Sequence, residues 1–277
     1  MSAIFLRHLI PLSFVFGAAF VPAVAVAVAN TDRPRIGLVL MHGKGGSPMS
    51  YVLELARHLE AQGLLVANLE MTWSGRRNYD SPVAAAEAEL ETAVTSLRGQ
   101  GAHKVFVAGH SLGGVFALYF GTRHEVDGVI AIAPGGNVAN PIYREKLGEY
   151  AALSRKLVAQ GRGEEKTPLA DYEGAKGTYP LVTTPAAYLS WFDPDGAMNQ
   201  TKSSKAMNPA VPVLFVAPTK DYPGLLRVKQ QMFAALPKNS LSRLYEPDST
   251  HVGAPSASAQ EIVEWTTAVA NAPLVSK

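Results

Sequence analysis

Apolar and polar positions alternate along this chain between two rhythms, and the switch between them recurs. Ile36 to Met41 is apolar almost throughout, as a strand is when helices cover both faces of its sheet. It ends at His42-Gly43-Lys44-Gly45-Gly46, after which Ser47 offers an N-cap with Pro48 at the first helical position. Val52, Leu55 and Leu59 then recur at helical spacing until Gly63. Leu64 to Leu69 predicts a second strand. Ser81-Pro82 opens a second helix with Val83, Ala86, Leu90, Val94 and Leu97 on one stripe, closed by Gly99. Val105 to Ala108, a helix bearing Val115, Leu118 and Tyr119, and Val129 to Ala133 continue the series. Strands alternating with helices of this length predict an α/β fold, a mostly parallel sheet flanked by helices through right-handed crossovers.

The rhythm breaks from Pro134 to Pro209. A helix around Tyr150 to Ala159 is followed by a stretch rich in Gly, Lys, Pro and Tyr that includes Tyr179, Tyr188, Trp191 and Phe192. A loop region this long inside a compact domain is usually functional, and a cap inserted over the mouth of the sheet over about residues 134–209 is the simplest account. The alternation resumes with a strand at Val213 to Ala217, a helix at Leu225 to Leu236 and a short strand at Leu241 to Tyr245. A last helix buries Ile262, Trp265 and Val269.

Composition narrows the function classes. A chain of 277 residues, 47% hydrophobic and 17% charged, suits one large globular domain. The formal charge of +2 and scattered Lys and Arg leave no electrostatic footprint for nucleic acid. The absence of Cys excludes a disulfide framework, a thiolate metal site and a cysteine nucleophile. At the N-terminus, Arg7 and His8 precede an apolar run from Leu9 to Phe20, and Ala27-Val28-Ala29 forms an Ala-x-Ala site. These features predict a signal peptide over 1–29, removed on export to the periplasm or medium, with 30–277 as the mature domain. An uncleaved membrane anchor is the alternative, weakened by Pro11, Gly17 and Pro22.

The chemistry centres on Gly109-His110-Ser111-Leu112-Gly113, a Gly-x-Ser-x-Gly turn between an apolar strand and a helix. A serine hydroxyl is a poor nucleophile unless a base accepts its proton, and the base works best when a carboxylate orients it. Asp221 lies just beyond a strand and His251 in the loop after the next. Strand C-termini in a parallel sheet share one edge, so Ser111, Asp221 and His251 can converge there. Asp248, three residues before His251, competes for the acid position, as do Asp193 and Asp195. The histidines His58, His103 and His124 are dispersed and there is no His-Glu-x-x-His helix, so neither metal nor cofactor is expected. Thr72-Trp73-Ser74-Gly75-Arg76-Arg77 also follows a strand and is a candidate for the pocket wall. Its arginines fit either an anionic substrate group or a solvated surface.

His42-Gly43 after the first strand, the Gly109–Gly113 turn, and an acid and histidine in this order make the chain resemble the α/β-hydrolase fold family over nearly its whole mature length. The resemblance implies Ser111 as nucleophile, His251 as general base and acid, and Asp221 as its orienting partner. It also implies an oxyanion hole built from the backbone N–H groups of Leu112 and Lys44. On that basis the expected function is an exported serine hydrolase that cleaves a carboxylic ester through an acyl-enzyme. A pocket lined by Trp73, Tyr188, Trp191 and Phe192 would take a small-molecule ester or other acyl substrate. A monomer with no nucleic-acid partner, and no membrane partner once the signal is cleaved, completes the expectation. Amidase, peptidase or thioesterase action on the same triad is the alternative, and a non-catalytic ligand-binding protein of this fold is the rival from another class.

Overall fold

The computed structural model of the chain describes residues 34–174 and 176–273; the expected signal peptide lies outside the described residues. The first half follows the strand-helix alternation of the sequence. Strand β1 (Ile36–Met41) leads to α1 (Leu53–Ala61), β2 (Leu65–Leu69) to α2 (Val83–Gly99), and β3 (Lys104–His110) to α3 (Leu112–Gly121), followed by β4 (Gly128–Ile132). Helix α1 starts later than Ser47-Pro48 because those residues are closed into a turn. Ser50 Oγ donates to the Ser47 carbonyl at 2.6 Å and accepts the Ser47 N–H at 3.0 Å.

The segment after β4 holds more structure than its periodicity suggests. Helix α4 (Pro141–Ala159) begins where Asn140 caps it by accepting the Ile142 N–H, well before Tyr150. Then come β5 (Thr167–Glu173) and β6 (Gly177–Thr183), an antiparallel hairpin, followed by α5 (Pro185–Phe192) and α6 (Gln200–Ala206). The hairpin escapes a periodicity reading because its polarity is inverted: Asp171 is buried while Val182 is half exposed, and each strand contains a proline. Strand β7 (Val213–Val216), α7 (Pro223–Ala234), β8 (Arg243–Tyr245), the short α8 (Ala254–Ala257) and α9 (Ala259–Asn271) complete the described chain.

Six strands form one sheet in the order β2-β1-β3-β4-β7-β8, with every neighbouring pair parallel. The chain steps from β1 outward to β2, then returns to the other side of β1 as β3. The carboxyl ends of β1 and β3 therefore emerge side by side at a point where the winding reverses, the usual crevice for a site in such sheets. Side chains alternate between two apolar layers. Val39, Val107, Ala131 and Phe215 face α2, α3 and the β4–β7 segment. Leu38, Leu40, Phe106, Ile130 and Leu214 face α1 and α9.

Trp265 anchors the second layer. It is 2% exposed, its ring lies 5.7 Å from that of Phe106, and its indole N–H donates to the Leu241 carbonyl at 2.8 Å. Trp265→Ala should lower unfolding stability by about 3–5 kcal/mol, read as a reduced urea midpoint at unchanged slope.

Candidate active site

Only Ser111 separates β3 from α3, and it takes φ 54° and ψ −115°, a conformation L-residues rarely adopt. The two flanking glycines make this turn possible. A Cβ on Gly109 would lie 2.2 Å from the carbonyl carbon and oxygen of Gly113, and one on Gly113 would lie 2.8 Å from the His42 carbonyl oxygen. Backbone bonds hold the strained residue from both sides. The Ser111 N–H donates to Ile132 O at 2.9 Å, and its carbonyl accepts from the amides of Gly114, Val115 and Gly135. The side chain stays partly exposed above the sheet edge.

Pairing between β7 and β8 continues past the strands and sets a second pair of residues. The Thr219 N–H donates to Pro247 O and the Lys220 N–H to Ser249 O, each at 2.9 Å, and Lys220 bridges Thr250. One residue further on, His251 Nδ1 and Asp221 Oδ1 lie 2.8 Å apart, both side chains buried. Nδ1–H donates to the carboxylate, which leaves Nε2 as the imidazole's acceptor. Tyr222 and His110 flank the ring, with centroids at 4.7 and 5.0 Å. Asp221 also accepts the Tyr222 N–H at 2.6 Å. Two of the competing carboxylates are engaged elsewhere, and Asp195 is exposed. Asp248 pairs with Lys220 at 2.8 Å and accepts the Thr219 hydroxyl, bonds that hold it below the usual carboxylate range, while Asp193 accepts the Asp195 N–H. Among the described contacts, Ser111 Oγ makes no hydrogen bond to His251.

The loop after β1 lies against the serine. A Cβ on Gly43 would sit 3.3 Å from Ser111 Cβ. The loop is fastened to the one after β2 by Gly45 N–H to Trp73 O at 2.9 Å and Gly75 N–H to Gly46 O at 3.2 Å. His42 clamps the same two loops: its Nε2 accepts the Met71 N–H at 3.1 Å, and Nδ1–H donates to Gly43 O at 2.7 Å. Burial holds His42 below the ordinary imidazole range. Among the described residues, neither the Lys44 amide nor the Leu112 amide, an orphan donor at the start of α3, has a protein acceptor. One of these donors follows Ser111 directly and the other follows Gly43, which lies against the serine.

The aromatic residues expected to line a pocket are instead packed core. Trp73, Tyr188, Trp191 and Phe192 are almost wholly buried, and the Trp73 ring lies 5.5 Å from Trp191 and 5.3 Å from Phe116. Their polar atoms are spent on backbone: Trp73 Nε1–H on His42 O, Trp191 Nε1–H on Ser81 O and the Tyr188 hydroxyl on Ala170 O. The arginines are also committed, Arg76 to Glu70 and Arg77 to Asp80 and Glu89. The cleft beside the site is elsewhere. It is small, with a volume of about 20 Å³, and is lined by Ala133, Pro134, Gln200, Asp221, Leu225 and Met232 among others. Leu225 and Ser111 Oγ approach Gly135 together, at 3.3 and 3.6 Å from where its Cβ would stand. In the sequence, Leu225 reads only as a helix residue.

His110 is buried with its Nε2–H donated to the His251 carbonyl at 2.9 Å and its Nδ1 without a partner. Desolvation, reinforced by His251, lowers its pKa from near 6.5 to about 4. The unfolded chain takes up a proton there below pH 6.5 while the folded one does not. This residue's contribution, on the order of 3 kcal/mol, is therefore complete above pH 6.5 and lost as the pH falls toward 4. Urea midpoints measured across that window should fall less steeply for His110→Asn than for the wild type.

With this geometry in hand, three solved structures offer comparison. The monoacylglycerol lipase of Paleococcus ferrophilus is 20% identical with a TM-score of 0.59, covering 86% of this chain and 97% of its own. A highly thermostable carboxyl esterase from Bacillus coagulans, solved with glycerol, is 15% identical with a TM-score of 0.57, over 86% and 90%. The alpha/beta hydrolase GrgF from Penicillium sp. sh18 is 15% identical with a TM-score of 0.63, over the same shares. At these identities the likeness is one of fold. No curated protein sequence matches the chain. The family model described as the alpha/beta hydrolase family matches residues 38–265, from β1 through the Ser111 turn and into α9, and the chain belongs to that family.

Proposed function

We propose that this hydrolase cleaves a carboxylic ester through an acyl-enzyme on Ser111, with His251 as general base and acid and Asp221 as its orienting partner. The observation that carries this reading is the 2.8 Å hydrogen bond between Asp221 and His251, whose ring lies 5.0 Å from that of His110, the residue before Ser111. That bond fixes the tautomer whose Nε2 can take a proton. Ser111 Oγ attacks the ester carbonyl carbon as its proton passes to His251 Nε2, and the Lys44 and Leu112 amides receive the developing oxyanion. Collapse of the tetrahedral intermediate breaks the C–O bond, and the alcohol leaves with the proton from His251. Water then repeats the sequence on the acyl group, returning the carboxylic acid and free Ser111. The hydrogen bond from Ser111 Oγ to His251 Nε2 forms on substrate binding, as catalytic hydrogen bonds commonly shorten only in the complex.

The mostly hydrocarbon wall of the cleft beside Leu225 favours an apolar group of the ester on that side of the site. Residues 134–209 act as the cap over the site and 30–277 as the mature, exported domain. Two of the fold neighbours being a lipase and an esterase adds weight to the choice of ester over amide.

A fluorophosphonate probe should label the purified protein, with peptide mapping placing the adduct on Ser111, and Ser111→Ala should be inert to it. Asp221→Asn should lower kcat on a p-nitrophenyl ester by about 10⁴ while leaving the urea midpoint near that of the wild type. Equal labelling of wild type and Ser111→Ala would overturn the assignment.

A further inference from the structure

The ion pair between Lys44 and Asp171 is the most deeply buried charged contact that the chemistry above leaves unused. Lys44 Nζ lies 2.7 Å from Asp171 Oδ1, with the two side chains 9% and 0% exposed. The same ammonium donates to the Tyr172 carbonyl at 3.0 Å and lies 5.6 and 5.9 Å from the ring centres of Tyr143 and Phe192. Asp171 accepts three more bonds, from the Tyr179 hydroxyl at 2.9 Å, the Tyr79 hydroxyl at 3.2 Å and the Tyr172 N–H at 2.6 Å. Burial alone would lower the Lys44 ammonium, but Asp171, with Tyr143 and Glu173, outweighs it and keeps the side chain charged.

These bonds join three separate parts of the chain. Asp171 and Tyr179 face each other across the β5–β6 hairpin, Tyr79 belongs to the loop after β2, and Lys44 belongs to the loop that lies against Ser111. A buried ion pair is a poor way to gain stability, because desolvation of both charges offsets most of their attraction, but it is sensitive to position. On the other side, the loop is held by backbone bonds to Trp73 and Gly75 and by the His42 and Trp73 side chains on Gly43 O and His42 O, none of which engages Lys44 itself. Gly45 takes φ 65°, with nothing within 4 Å of where its Cβ would stand.

We infer that Asp171 is a positioning residue: through the Lys44 side chain it sets the place of the Lys44 amide, so that the β4–β7 segment holds the oxyanion loop in its working geometry. The inference rests on the catalytic reading proposed above. A donor displaced by about 1 Å loses most of its preference for the transition state, so the effect belongs to kcat and not to substrate binding.

The test uses Asp171→Asn and Lys44→Met in the whole protein, with Lys44→Arg as the conservative control. Hydrogen exchange at the amides of residues 43–46 and hydrolysis of p-nitrophenyl acetate are measured together. Exchange at that loop should accelerate at least tenfold in Asp171→Asn and Lys44→Met while the strand amides stay protected. Their kcat should fall at least tenfold with KM within twofold, and Lys44→Arg should recover most of both. Should Asp171→Asn fail to fold, Lys44→Met carries the same comparison, because Asp171 keeps its other three donors. Unchanged loop exchange, or faster exchange with unchanged kcat, overturns the inference. A wild-type protein inert to every ester and to the fluorophosphonate probe overturns the proposed function instead, and the exchange measurement then decides alone whether the tether exists.

Discussion

The structure depends on one close approach of bare backbone. Gly113 packs onto the ends of β1 and β3 so tightly that a methyl group on it would strike the carbonyl oxygens of Met41 and His42, and a methyl on Gly109 would strike Gly113 itself. Because that contact is closed, α3 starts directly beneath the sheet edge and Ser111 is forced into its left-handed conformation. It also brings the His42-Gly43-Lys44 loop against the serine, since β1 and β3 are adjacent only in the order β2-β1-β3. The serine turn, the loop and the sheet winding are therefore consequences of the same steric fact. The backbone bonds from Ser111 to Ile132 and Gly135 then offset the strain, which costs roughly 1–3 kcal/mol for such a residue.

Three buried histidines surround this elbow, and hydrogen bonding gives them different tasks. His42 donates through Nδ1 and accepts through Nε2, so both nitrogens are consumed in joining two loops. His110 donates through Nε2 to the backbone of residue 251 and is kept neutral by burial. Only His251 is hydrogen-bonded to a carboxylate while keeping its second nitrogen uncommitted among the described contacts. Proximity to the serine does not set these tasks, since His110 is its immediate neighbour in sequence. The partner of each ring nitrogen does, because that partner decides whether an imidazole can accept a proton and hold the resulting charge.

Much of this was legible from the chain. All but the short edge strand β8 announce themselves as apolar runs, and the shared edge makes Ser111, Asp221 and His251 a natural set even though 140 positions separate the first from the last. A place at a strand end favours Asp221 over Asp248 without excluding the latter. What separates them is Lys220, whose backbone pairs toward β8 while its side chain draws Asp248 outward. The β4–β7 segment was illegible for a definite reason. Periodicity assumes that buried positions are apolar, and the hairpin buries Asp171 at its centre while exposing Val182. The aromatic residues misled in the opposite sense: Trp73 and Trp191 look like a binding surface by composition, but backbone carbonyls satisfy their indole N–H groups inside the core.

The β4–β7 segment leaves the sheet at one strand and returns at the next, a topology that would let evolution replace it as a cassette. The Lys44–Asp171 pair restricts that freedom. A substitute segment without a carboxylate at the place of Asp171 would strand an ammonium in the interior, so any exchange must be matched by a change at Lys44, in the loop beside Ser111. Diversification of the part outside the sheet and refinement of the part that does the chemistry are thereby inherited together.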